Sequence, residues 1–205
     1  MEFFRNASAR TALRFAIVSG TGLGIGAFLF KSAIFIPTLS SFQFTISSVT
    51  AGLAYAGLKS GSRRNALAAL LVWCILLTSL AGPFHYWLLV LSVAYVSAIG
   101  FAIYLYLRTA SKPFARGVVR RIALAGIYVA LMNGMVVFVL QLIRLTPSLS
   151  YPAIALHHPF DGVLLNLQYG AWIGTAVGFG IESVEYVISR LIKYPEAQDQ
   201  TIQAV

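Results

Sequence analysis

The sequence predicts an all-α integral membrane protein: a six-transmembrane-helix bundle with both termini cytoplasmic. Composition points there first, because 59% of the 205 residues are hydrophobic and only 10% are charged, against about 25% charged in soluble domains. A water-soluble fold of this size has too little interior to hide that much apolar surface, so lipid must cover it. Pattern points the same way, since six apolar stretches alternate with connections that are in turn basic and nearly uncharged. Nothing polar enough for a separate soluble domain interrupts them, so residues 1–205 read as one polytopic domain.

The first span is read over 12–36. Arg5, Arg10 and Arg14 precede most of it, as in the basic end of a signal peptide. The apolar stretch runs on to Phe35, too long for a signal h-region, and is taken as uncleaved. The second span, 42–58, is the shortest and carries Ser47, Ser48 and Thr50, which leaves a re-entrant segment open beside a full crossing. Spans three (65–82) and four (85–107) are joined by little more than Ala81-Gly82-Pro83-Phe84, which makes them an antiparallel hairpin. Tyr86 and Trp87 at the outer start of span four, and Tyr104 and Tyr106 at its inner end, fit the aromatic belts of a bilayer. The fifth span is read over 119–143 and the sixth over 162–189, after an outer connection with room for a short interfacial helix. Most of these reach the ~20 residues that cross ~30 Å of hydrocarbon.

Proline and charge fix the segmentation. Pro37, Pro83, Pro113, Pro147, Pro152, Pro159 and Pro195 all fall between spans or in the tail, where a missing amide donor does no harm. Thirteen of the 15 lysines and arginines flank the same side of the spans, Lys31 and Arg144 being the exceptions. That asymmetry places both termini in the cytoplasm. The same distribution removes nucleic acid as the partner implied by a net charge of +9, because the cations flank spans and suit an anionic leaflet. The bilayer is the first partner; a cytoplasmic or membrane partner subunit, or a second copy of the chain, is the next. A bacterial inner membrane is the simplest home.

Small residues mark helix seams. Gly20, Gly22, Gly24 and Gly26 lie in span one, and Gly170, Gly174 and Gly178 recur every fourth residue in span six. Residues four apart share a helix face, and in lipid close backbone packing holds helices together. Gly22-Leu23-Gly24-Ile25-Gly26-Ala27 imitates a dinucleotide fingerprint, but without a preceding strand or a downstream acid it is a packing seam.

Polar groups inside spans are costly and mark candidate sites. Lys31, near the outer end of span one, either reaches the headgroups along its own stem or supplies a counter-charge to an anionic ligand. Asn133, Asn166 and Gln168 are candidate cavity-lining groups, with Tyr169 and Trp172 as an apolar wall. Glu182 and Glu185 share a face near the inner end of span six. They read as ion or proton sites, or as structural partners for arginines such as Arg120 or Arg121, with Glu185 reaching toward Arg190 and Lys193. His85, His157, His158 and Asp161 all map to the outer side and form a weak metal candidate, lacking any stereotyped ligand spacing.

Enzyme chemistry finds no support: neither His-Glu-x-x-His nor Gly-x-Ser-x-Gly occurs. Histidines at one edge cannot hold a haem within the bilayer, so no cofactor is expected. Cys74 is alone and reads as a small buried hydrophobe. Two functions remain: a transport or substrate-binding membrane component for a small solute, and a structural, assembly or regulatory subunit of a larger membrane complex.

Overall fold

In the computed structural model the described residues are 6–31, 37–61, 63–80, 86–142 and 161–202. Among them there are six α-helices and no strand. These are α1 (Ala7–Lys31), α2 (Pro37–Lys59), α3 (Arg63–Leu80), α4 (Tyr86–Ala110), α5 (Val118–Leu142) and α6 (Asp161–Ile202), with a short 3-10 turn at Pro113–Ala115 before α5. Among the described residues three segments are long and apolar enough to cross a membrane: Ala7–Phe28, Ser92–Ala110 and Val118–Leu140.

Local chemistry explains the helix ends. Asn6 caps α1, its Oδ1 accepting from the Ser8 amide at 2.9 Å. Proline at the first position of α2 gives up no hydrogen bond, because that amide has no acceptor within its own helix. α2 closes with the Ser60 amide on the Ala56 carbonyl, and Gly61 turns the chain at φ +83°, a conformation that favours glycine. Gly117, at φ +107°, does the same before α5.

Two boundaries differ from the hydropathy reading. α2 is a continuous helix of 23 residues, longer than the apolar stretch, because Thr and Ser at its start weaken the hydropathy signal without breaking hydrogen bonding. α6 has 42 residues and runs past Pro195, so that proline, read as part of the tail beyond span six, lies within a helix. At 1.5 Å per residue α6 is about 63 Å long, roughly twice the hydrocarbon thickness. Hydropathy marks where lipid contact ends, not where the helix ends.

The helices close into a ring in chain order, and α6 returns to α1. α2 also touches α4 and α6. The main core joins Val18 of α1, Tyr55 of α2, Ile99 and Ile103 of α4, Val129 of α5, and Ile173 and Val177 of α6, all fully buried. α3 reaches it only through the partly buried Leu70 and otherwise packs in a smaller cluster of Cys74, Leu77, Ile46 and Val96. Its Trp73 indole donates to Thr50 of α2 at 3.0 Å. Leu67, Leu71, Val72, Ile75 and Leu76 lie exposed on α3.

Glycine makes the tightest contacts. A Cβ on Gly170 would lie 2.6 Å from Ala130 Cα, and one on Gly178 would lie 2.9 Å from Ala125 Cβ. The α6 stripe therefore packs directly on α5. Span one behaves differently, because its glycines alternate between opposite faces. Gly22 and Gly26 meet Ser48 and Phe44 of α2, whereas Gly20 and Gly24 meet nothing within 4 Å. The reading of all four as one seam is corrected accordingly: successive glycines two apart turn by about 200° on a helix.

Candidate functional site

The start of α1, the α2–α3 turn, the α4–α5 connection and the later turns of α6 gather at one end of the bundle, and most of the basic residues gather with them. Two carboxylates of α6 organise this end. Glu182 Oε1 accepts from Arg121 Nε at 2.7 Å and from the Tyr106 hydroxyl at 3.1 Å, while its Oε2 accepts from Arg121 Nη2 at 2.5 Å. Glu185 Oε1 accepts from Arg14 Nε at 2.8 Å and from the Tyr55 hydroxyl at 2.7 Å. Lys59 Nζ stands 3.8 Å from the other oxygen of Glu185.

The two clusters repeat one constellation, an arginine Nε and a tyrosine hydroxyl on a single carboxylate oxygen. They recruit different helices. Glu182 draws in α4 and α5, and Glu185 draws in α1 and α2. Charge-assisted bonds of this kind are the strong ones, and the Arg121 fork engages both oxygens of its partner. Carboxylates so occupied serve as ties, with a cation and a hydroxyl already on each. Arg121 supplies the arginine partner of Glu182. Glu185 turns toward Arg14 and Lys59 instead of Arg190, whose guanidinium lies over the Tyr186 ring at 5.3 Å. Arg120 is exposed.

A second polar layer lies farther along the bundle. Asn166 of α6 is buried; its amide nitrogen donates to the Gly162 carbonyl at 2.8 Å, and its oxygen accepts from the Tyr95 hydroxyl at 3.2 Å. Asn133 of α5 is fully buried, at 0% exposure, and neither its oxygen nor its nitrogen has a hydrogen-bond partner among the described residues. Gly134 lies beside Leu167, and Ala130 beside Gly170. That antiparallel register sets Asn133 level with Asn166 to Gly170. Tyr169 is buried there too, its ring 6.2 Å from that of Phe44. Gln168 and Trp172 lie on the exposed face of α6, Trp172 at 43%.

An unpaired amide in a water-free interior costs about 1–3 kcal/mol. An asparagine offers two donors and an acceptor oxygen, and Asn133 has all of them free for a group outside the described chain. Ser19, Ser47 and Ser48 also bury hydroxyls with no partner among the described residues. Ser19 and Ser48 lie in the α1–α2 seam, against Gly52 and Gly22 respectively.

The remaining sequence candidates sit apart. Lys31 ends α1 and Asp161 begins α6, while His85, His157 and His158 lie outside the described residues. Sequence reasoning passed over Arg14, Tyr55 and Tyr106. Tyr106 was expected in an interfacial belt, yet it is 2% exposed and bonded to Glu182. A tyrosine one turn before the basic end of each of two helices was the available signal, but it is shared with belt aromatics. Comparison with protein-family models, with curated proteins and with solved structures finds no match.

Proposed function

We propose that this chain is a six-span protein of a bacterial inner membrane, with both termini cytoplasmic, that binds a small uncharged polar solute within its bundle as a transport or substrate-binding component. The observation that carries the reading is Asn133, buried with an amide that no described residue answers. The class of solute follows from its surroundings. Leu167, Asn166, Tyr169 and Gly170 share its level and none is charged, while Arg121 is 12 residues away along α5, about 18 Å at 1.5 Å per residue. A charged solute would lose its hydration there without a counter-ion. A neutral amide or polyol that both donates and accepts matches the free groups. The exposed apolar face of α3 and the apolar lengths of α1, α4 and α5 support the membrane setting.

The test is thermal denaturation of the purified protein with a panel of neutral amides and polyols, acetamide and glycerol among them. A stabilising solute is expected for the native chain and for no Asn133→Leu variant. Without solute, Asn133→Leu is expected to be more stable by about 1 kcal/mol, since it removes an unpaired amide at similar volume. A variant that responds to every solute as the native chain does would end the reading.

A second reading, as a subunit of a larger membrane complex, has its own observation. Ala12, Ala16, Gly20 and Gly24 form an exposed stripe on α1, four residues apart, and the two glycines face open space. Such a stripe suits close approach of another transmembrane helix. On this reading, Gly20→Leu combined with Gly24→Leu lowers the mass of the detergent-extracted assembly, by light scattering, without changing the melting temperature of the chain. An unchanged mass removes it.

A further inference from the structure

We infer that the Glu182 and Glu185 clusters form a latch that closes the basic end of the bundle over the Asn133 layer. The inference rests on the solute-binding reading of Asn133 and assigns the regulation of that site. Three features carry it.

The first is connectivity. Both carboxylates belong to α6, and their partners come from α1, α2, α4 and α5. These helices carry the fully buried residues of the main core, so the two clusters together tie four of its helices to the fifth.

The second is layering along α6. Between the Asn166 level and the carboxylates stand Ile173, Val177 and Ile181, with Ile99, Ile103 and Val129 facing the same core, all 2% exposed or less. A polar solute approaching from the basic end meets the ion pairs first and this apolar layer next. The charged layer is therefore the outermost barrier on that route.

The third is the texture of the seams. α6 meets α5 through Gly170, Gly174 and Gly178, and meets α1 through Gly180 against Val18 and Thr21. Small residues bring backbones close but interlock less than large side chains do, and shear between such faces meets few obstacles. What pins α6 at this end is the directional bonding of Glu182 and Glu185. The division of partners adds a specific consequence. Glu182 restrains the α4–α5 side, which carries Asn133, so its loss is expected to expose position 133 more than loss of Glu185.

The test is thiol accessibility in the full-length chain carrying Cys74→Ala and Asn133→Cys, in sealed vesicles of known orientation. A membrane-impermeant methanethiosulfonate is added from one face at a time. Adding Glu182→Gln is expected to speed labelling from the basic end by about tenfold, the response of a local opening equilibrium to loss of one partly buried ion pair. Glu185→Gln is expected to speed it less, and the exchange Arg121→Glu with Glu182→Arg to return it toward the slow rate. If Glu182→Gln does not accumulate in the membrane, Arg121→Lys keeps the charge, loses the forked bond and provides the same comparison. Unchanged labelling, or an equal rise from both faces, overturns the latch. Labelling needs no solute, so a latch that opens as described while no solute stabilises the protein would remove the binding reading and leave the latch standing.

Discussion

Gly174→Leu is expected to give a protein that no longer holds α5 against α6. The position has no room. A Cβ there would lie 2.5 Å from the Ala125 carbonyl oxygen, 2.8 Å from Gly126 Cα and 2.8 Å from Val129 Cβ. Two of those three atoms are backbone, so no rotamer change relieves the contact, and α5 as a whole must move away. Displacing it would loosen the contacts of Gly170 and Gly178 on the same stripe. Overpacking a core commonly costs about 1–3 kcal/mol, and a backbone clash in a seam that holds by dispersion alone belongs above that range. With a response of ~2–4 °C per kcal/mol for a chain of this size, the melting temperature falls by roughly 10 °C or more. The control is Gly20→Leu, where a side chain enters open space and the monomer should melt within a degree or two of the native chain. Equal melting temperatures for the two variants would show that the α5–α6 seam is not what the glycines are for.

The contrast between those two glycines marks how far the sequence reaches. Helix existence was legible because each apolar stretch is long, and residues 119–143 as read lie within one position of α5 at Val118–Leu142. Spacing of four in span six also predicted a packing stripe. What spacing cannot say is which face of a helix is covered. Gly22 and Gly26 are packed on α2 while Gly20 and Gly24 are open, and both pairs obey the same rule of four. The α6 carboxylates raise the same difficulty. Residues three apart diverge by about 60° on a helix, enough for Glu182 and Glu185 to reach different neighbours despite sharing a side. Their partners Arg14 and Arg121 lie 171 and 61 residues away in the chain, beyond the reach of any local pattern. The orphan amide of Asn133 is a property of packing alone. Sequence showed a polar residue at mid-span, and only its surroundings show that nothing in the described chain answers it.

Glu182→Leu carries the other large effect, and its size follows from the burial of the pair. The Arg121 side chain is 31% exposed and that of Glu182 is 15% exposed, so neither group is fully withdrawn from solvent. Removing one partner of a fully buried pair costs about 3–5 kcal/mol because a charge is left uncompensated. Partial exposure reduces that to roughly 2–3 kcal/mol, still well above the 0–1 kcal/mol typical of surface pairs. The loss includes the Tyr106 hydroxyl, which donates to the same carboxylate. The companion change Arg121→Leu strands Glu182 in turn and should cost a similar amount. Combining the two removes both charges together, so the double variant should be more stable than the sum of the single losses implies, by at least ~1 kcal/mol in a double-mutant cycle. Glu185→Leu leaves Arg14 and Lys59 beside each other at the end of the bundle, and the stranded Arg14 side chain is 13% exposed against 31% for Arg121, so water compensates less of the loss. A loss for Glu185→Leu at least as large as that for Glu182→Leu is therefore the expected outcome of thermal unfolding in lipid bicelles. A cycle in which the two single losses simply add would show that Glu182 and Arg121 act independently, and the tie between α5 and α6 at this end would have to be sought elsewhere.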